Sequence, residues 1–327
     1  FGFIDRILET YSKKGIAVQV SAFSDVALIT KNVADKLYER RVALCLKRDS
    51  LESKIQDKLI GQRGGMKRMQ GGYENLFVAG YGQEGSPPVN VNTVFNAETM
   101  PGLVALHRWV RQNGMQHSIV PVHYCGRAQE EEQKEGIHAV HVREMYTLLS
   151  EIGGDEFNDP WKVYSPFPLN KTCSRNISGV HIRSNGDVTA CSESPLIEKY
   201  IFGNINRDSI KEIAESKKLK EYRLSFPEGV GDYICHPDRC DLYANDLCRG
   251  GCATRSAYSR IDPNTGLIVK NTAMRNYSIR REDPLCPGWV VMAEQQGALK
   301  EEVVSRIRNE IRSYNREPDI IYKSKAP

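Results

Sequence analysis

No stretch of this 327-residue chain approaches the roughly 18–20 consecutive apolar positions that a membrane-spanning helix requires. The opening residues, Phe1-Gly2-Phe3-Ile4-Asp5, carry no initiator Met, no basic n-region and no signal-type apolar core. They read as the interior of an amphipathic helix, which gives the expectation of a fragment whose true start lies upstream. Neither sign of charge dominates: Lys and Arg total 45 against 41 acidic residues, a formal +4, spread along the chain. No basic stripe is interleaved with aromatics, so nucleic-acid binding is not indicated, and a membrane partner is not expected. With no secretory signal, the expected location is cytoplasmic. Cysteine is scarce over the first 172 residues, where only Cys45 and Cys125 occur.

The length exceeds what one core usually serves, so two domains are expected. With 40% hydrophobic and 26% charged residues the composition is that of a globular protein. Up to about residue 170 two periodicities alternate. Short apolar runs near 17–22, 42–47, 89–95 and 118–124 read as strands, and 3.6-residue patterns between them read as helices. Val42-Ala43-Leu44-Cys45-Leu46 is so continuously apolar that it suits a strand buried on both faces, with Cys45 in the core. The glycines at 61, 64, 65, 71 and 72 favour turns over one long helix. Pro101 suits the first turn of a helix with the stripe Leu103, Leu106, Trp109 and Val110, and Gly114 closes it. Strand–helix repeats of this length imply right-handed βαβ units and a parallel sheet, whose ligands bind at the strand C-terminal ends. Those ends carry Ser21–Ser24, Lys47-Arg48-Asp49-Ser50, Asn92 and Cys125-Gly126-Arg127.

The remaining seven cysteines, Cys173, Cys191, Cys235, Cys240, Cys248, Cys252 and Cys286, fall in the second half. An odd total of nine without a secretory signal argues against a disulfide framework and for metal ligation. Thiolates select zinc, copper(I) or iron–sulfur clusters. Structural zinc takes four ligands in closely spaced pairs, and seven cysteines do not divide that way, so iron–sulfur is favoured and zinc remains the alternative. Ser178–Arg183, the turn Ser184-Asn185-Gly186-Asp187 and Val188-Thr189-Ala190 form a hairpin signal with Cys173 at its entry and Cys191 at its exit. Ser209 and Glu212 match a capping box ahead of a scaffold helix.

The pattern Cys173-x12-Gly186-x4-Cys191, gap, Cys235-x4-Cys240-x7-Cys248-x3-Cys252, gap, Cys286 resembles the SPASM domain of radical S-adenosylmethionine enzymes. The x4 and x7 gaps are each two residues longer than the family's usual spacing. Phe202-Gly203-Asn204-Ile205 and Cys248-Arg249-Gly250-Gly251-Cys252 also look like the family. The first half resembles the later portion of that family's (β/α) barrel. The resemblance thus implies an α/β fold, an incomplete parallel barrel over 1–170, an auxiliary iron–sulfur domain over 171–297, and a C-terminal helix and tail over 298–327. It implies S-adenosylmethionine contacts from Lys47, Ser50, Asn92 and Arg127. It also implies one auxiliary 4Fe-4S cluster on Cys235, Cys240, Cys248 and Cys286 and a second on Cys173, Cys191 and Cys252. A third cluster, S-adenosylmethionine itself and a flavodoxin- or ferredoxin-like reductant are expected of the full-length protein, with a peptide, protein or small molecule as substrate.

The family's CxxxCxxC, which holds the radical-generating cluster, is absent. So is the catalytic Asp that sulfatase-maturing relatives place after the second cysteine; here it is Ser192. Three functions follow: a radical enzyme present as a fragment, a non-catalytic iron–sulfur electron-transfer or docking module, and a zinc-stabilised interaction domain.

Overall fold

In the computed structural model, residues 1–122, 137–159, 179–192, 194, 198–225, 259–262, 265–270, 297 and 299–315 are described. The chain divides into two compact units: Phe1–Val122 with Met145–Ser165 and Asn309–Pro327, and His123–Glu144 with Pro166–Arg308.

The first unit alternates as its periodicity requires: α1 (Gly2–Ser12), β1 (Ser21–Ser24), α2 (Lys31–Glu39), β2 (Ala43–Lys47), α3 (Ser53–Ile60), α4 (Gly65–Ala79), β3 (Val89–Phe95), α5 (Leu103–Gln112) and β4 (Gln116–Pro121). The four strands lie in the order β1-β2-β3-β4 and every pairing is parallel. This agrees with the α/β reading and with parallel strands joined through intervening helices. The core packs one sheet face against the helices: Leu44, Leu46, Val89 and Val91 meet Leu37, Tyr73, Leu76, Leu106 and Val110. Pro101 sits in a short 3-10 turn, Met100–Gly102, that leads into α5, and Gly114 ends that segment at φ 67°.

Three expectations need correction. The first strand is Ser21–Ser24, not 17–22, because its pairing partners in β2 begin at Ala43. Gly71 and Gly72 do not break the chain but lie within α4, where Gly72 accommodates the backbone of Val26. The strand read as buried on both faces is not: Leu44 and Leu46 are buried, while Ala43, Cys45 and Lys47 alternate onto a half-exposed face.

In the second unit the hairpin forms as its Asn-Gly turn demands. β5 (His181–Ile182) pairs antiparallel with β6 (Asp187–Thr189), Gly186 has φ 87°, and β7 (Gly203–Asn204) adds a third strand. Val188, Ala190, Phe202, Ile213 and Leu219 form its small core with α7 (Ile210–Glu215) and α8 (Lys217–Ser225). The Ser209–Glu212 capping box is present. A short pair, β8 (Ser259–Ile261) with β9 (Ile268–Lys270), and the helix α9 (Glu301–Ser313) complete the described elements. The helix α6 (Ala139–Phe157) contributes to both units. No helix among the described residues is long and apolar enough to cross a membrane.

Candidate active site

Alternation along parallel strands sends Cys45, Lys47, Asn90 and Asn92 to the sheet face opposite the helices. Register sets Cys45 beside Asn90 and Lys47 beside Asn92. At the C-terminal ends of β1–β3 this face opens into a cleft of about 280 Å³, lined by Phe23, Ser24, Asp25, Cys45, Leu46, Lys47 and Asn92. Of the strand-end residues, Phe23, Ser24, Lys47 and Asn92 share this concavity, and of the four expected to contact S-adenosylmethionine, Lys47 and Asn92 line it.

The loop Lys47–Ser50 is held from every side. Lys47 is ion-paired with Asp49, whose carboxylate also accepts the Val94 amide N–H at 2.7 Å. The buried Gln56 side-chain oxygen accepts from the Asp49 and Ser50 amides at 3.0 and 2.8 Å. The Arg48 guanidinium is buried, 4.2 Å from the Trp109 ring centroid and 5.3 Å from that of Tyr73. This stacking removes a cation from water against two π-faces. The Thr93 hydroxyl donates to the Arg48 carbonyl at 2.6 Å and lies 2.8 Å from His117 Nε2; His117 Nδ1 in turn lies 3.1 Å from His107 Nδ1. One assignment of protons satisfies the chain: His107 Nδ1–H donates to His117 Nδ1, and His117 Nε2–H donates to Thr93. Both rings are then neutral. Burial, followed by the charges of Arg111 and Arg108, pushes His107 down to about 3. Burial and the neighbouring His107 and Arg111 push His117 well below the usual imidazole range.

The other candidates lie elsewhere. Ser50 is buried, its hydroxyl accepts the Glu52 amide N–H at 3.0 Å, and it does not line the cleft. Arg127 and Cys125 lie outside the described residues. Cys45, expected in the core, instead lines the cleft, with the Asn90 amide donating to its Sγ at 3.5 Å. Phe23, Ser24 and Asp49 belong to the strand ends where ligands are expected, though not to the S-adenosylmethionine set, whereas Asp25 and Gln56 belong to neither. An Asp just past a four-residue strand and a Gln in an otherwise amphipathic helix give little local signal.

Of the seven cysteines expected to ligate metal, only Cys191 is described; Cys173, Cys235, Cys240, Cys248, Cys252 and Cys286 lie outside the described residues. Cys191 is half-buried where the hairpin ends. Its amide N–H donates to Ser194 Oγ at 3.1 Å, and its carbonyl accepts the Thr189 hydroxyl at 2.9 Å and the Ser194 amide at 3.1 Å. The local backbone thus holds a single thiol at the mouth of a small sheet. A soft-sulfur donor on a fixed backbone fits an iron–sulfur ligand.

Residues 173–252 match the SPASM family model, an iron–sulfur cluster-binding domain. Among solved structures, native anSMEcpe with bound AdoMet and Cp18Cys peptide is 16% identical, with a TM-score of 0.64 over 95% of this chain and 82% of that one. Native anSMEcpe with bound AdoMet alone is 15% identical, with a TM-score of 0.64 over 95% and 81%. Streptococcus suis SuiB bound to S-adenosylmethionine is 13% identical, with a TM-score of 0.51 over 77% and 65%. No curated protein matches the sequence. At these identities the likeness is one of fold. The resemblance to radical S-adenosylmethionine enzymes thus holds in the parallel α/β architecture and in the SPASM domain.

Proposed function

We propose that this chain is the larger part of a radical S-adenosylmethionine oxidoreductase or maturase that abstracts hydrogen from a peptide or protein substrate. The observation that carries the reading is a strand-end cleft and a seven-thiol set in one chain whose fold resembles S-adenosylmethionine-bound structures. The barrel portion spans 1–170, the auxiliary iron–sulfur domain 171–297, and a C-terminal helix and tail 298–327. Cys235, Cys240, Cys248 and Cys286 hold one auxiliary 4Fe-4S cluster; Cys173, Cys191 and Cys252 hold the second. When bound, the auxiliary clusters would accept an electron from the product or bind substrate, whereas the hydrogen-abstracting power would come from S-adenosylmethionine at the third cluster of the full-length protein. The chain's own residues supply binding and orientation. Lys47, aimed by Asp49, meets a carboxylate; Asn92 offers an amide; Phe23 offers an aromatic face. The clamped Lys47–Ser50 loop keeps this geometry without reorganisation. A peptide substrate is supported by the peptide bound in the anSMEcpe structure. The reductant is a flavodoxin- or ferredoxin-like protein and the location cytoplasmic.

The missing CxxxCxxC favours a second reading, an iron–sulfur electron-transfer or substrate-docking module. Two measurements separate them. Anaerobic calorimetry on the full-length protein should show S-adenosylmethionine binding that weakens about tenfold, or ~1.4 kcal/mol, in Lys47→Ala and in Asn92→Ala. Unchanged affinity in both variants removes them from the site. Reconstituted full-length protein should release 5′-deoxyadenosine, whereas residues 1–327 alone should not. Product from residues 1–327 would mean that a different set of thiols generates the radical.

A further inference from the structure

Val26 has φ 74° and is fully buried. A β-branched side chain is poorly tolerated in that region, so something in the surroundings must enforce it. The strained residue directly follows Ser24 and Asp25, both of which line the cleft. Its amide N–H donates to Ser24 Oγ at 3.0 Å, and its carbonyl accepts from the Ile29 amide at 2.9 Å.

The enforcing element is α4. Gly72 faces Val26 so closely that an added methyl would overlap the Val26 carbonyl oxygen and lie 2.7 Å from its Cγ1. One turn further on, the Asn75 side-chain amide donates to the Ile29 carbonyl at 2.9 Å. Glycine is among the residues least suited to a helix interior, so its presence at 72 calls for a reason. Gly71 beside it has only open space. The same helix backs the other cleft loop, with Tyr73 under the Arg48 guanidinium and Met66 Sδ 3.7 Å from Arg48 Nη2.

We infer that Gly72 and Val26 are a positioning pair: α4 clamps the strained backbone at Val26 and thereby sets Ser24 and Asp25 at the cleft rim, in fixed relation to Lys47. The inference rests on the reading of the cleft as the S-adenosylmethionine site. Its test uses the full-length protein with two readouts. Hydrogen–deuterium exchange should show slow amides over 26–29 in wild type and Gly71→Ala, and exchange about tenfold faster in Gly72→Ala. S-adenosylmethionine affinity should fall about tenfold in Gly72→Ala, and less in Asn75→Ala, which removes only the second anchor. Gly71→Ala should leave it unchanged. Val89→Ala, a core truncation at the opposite end of the sheet, should lower Tm without weakening binding. Unchanged exchange in both Gly72→Ala and Asn75→Ala overturns the inference, as does an affinity loss in Val89→Ala equal to that in Gly72→Ala. Absence of binding in wild type defeats the cofactor reading instead, and the exchange readout still decides the pair. Asn75→Ala decides the matter if Gly72→Ala fails to fold.

Discussion

The two units are held together by different means. In the first, a large apolar core from Val26 to Met115 stands behind a parallel sheet, and polar groups buried in it, such as Arg48, Gln56 and Thr93, are bonded into the strand-end loops. In the second, the described hairpin cluster is Val188, Ala190, Phe202, Ile213 and Leu219, and Val140, Val142, Ile268, Val304 and Ile307 are buried elsewhere in that unit. The seven cysteines of that unit give it a second source of cohesion when they bind metal, since ligation adds folding free energy. The first unit is expected to fold on burial, the second on burial and ligation together.

The sharpest way to break this contrast is to remove a ligand. Cys240→Ser should lose about half the iron of a protein holding two cubanes, about eight irons per chain. It should destabilise residues 235–286 while leaving the α/β unit folded, as read by iron and acid-labile sulfide analysis together with limited proteolysis. Stoichiometric zinc without sulfide in anaerobically prepared protein would replace the iron–sulfur reading with the zinc one.

Acid should act mainly on buried imidazoles. His107 is pushed down to about 3 and His117 well below the ordinary value, while burial and the His141 charge push His138, in the second unit, down to about 4. The unfolded chain therefore binds protons at these sites below about pH 6.5 while the folded chain does not. Their stabilisation is complete above that pH and is lost progressively as pH falls toward 4, by about 1.4 kcal/mol per pH unit for each imidazole fully protonated only when unfolded. Urea titrations between pH 7 and 4.5 should show this slope for the first unit, and His107→Phe should flatten it. An unchanged slope would mean that His107 is not the residue responsible.

A smaller effect should follow from Gln56→Leu, which leaves the Asp49 and Ser50 amides buried without their acceptor. The expected cost is about 1–3 kcal/mol, with weaker S-adenosylmethionine binding and unaltered iron content. Smallest of all, Ser209→Ala should cost about 1 kcal/mol through the lost cap of α7. That change should appear in the second unit alone.

Sequence by itself determined the four parallel strands, the Asn185-Gly186 hairpin and the Ser209–Glu212 cap. Each rests on local preference, whether side-chain period, tolerance of positive φ or a side chain bonding its own backbone, so neighbours in the chain suffice to specify it. The seven-cysteine pattern was legible for the same reason, since thiol chemistry and spacing are written in the residues. Tertiary structure alone decided that β1 runs over Ser21–Ser24, because its register is imposed by β2. It also turned Cys45 toward the cleft, since a period of two assigns alternating sides but not which side the helices cover, and buried Ser50 in the loop after β2, where no strand period applies. Gly72 belongs to the same class: its role lies in the Val26 carbonyl, 46 positions away in the chain and adjacent only once α4 packs behind the sheet.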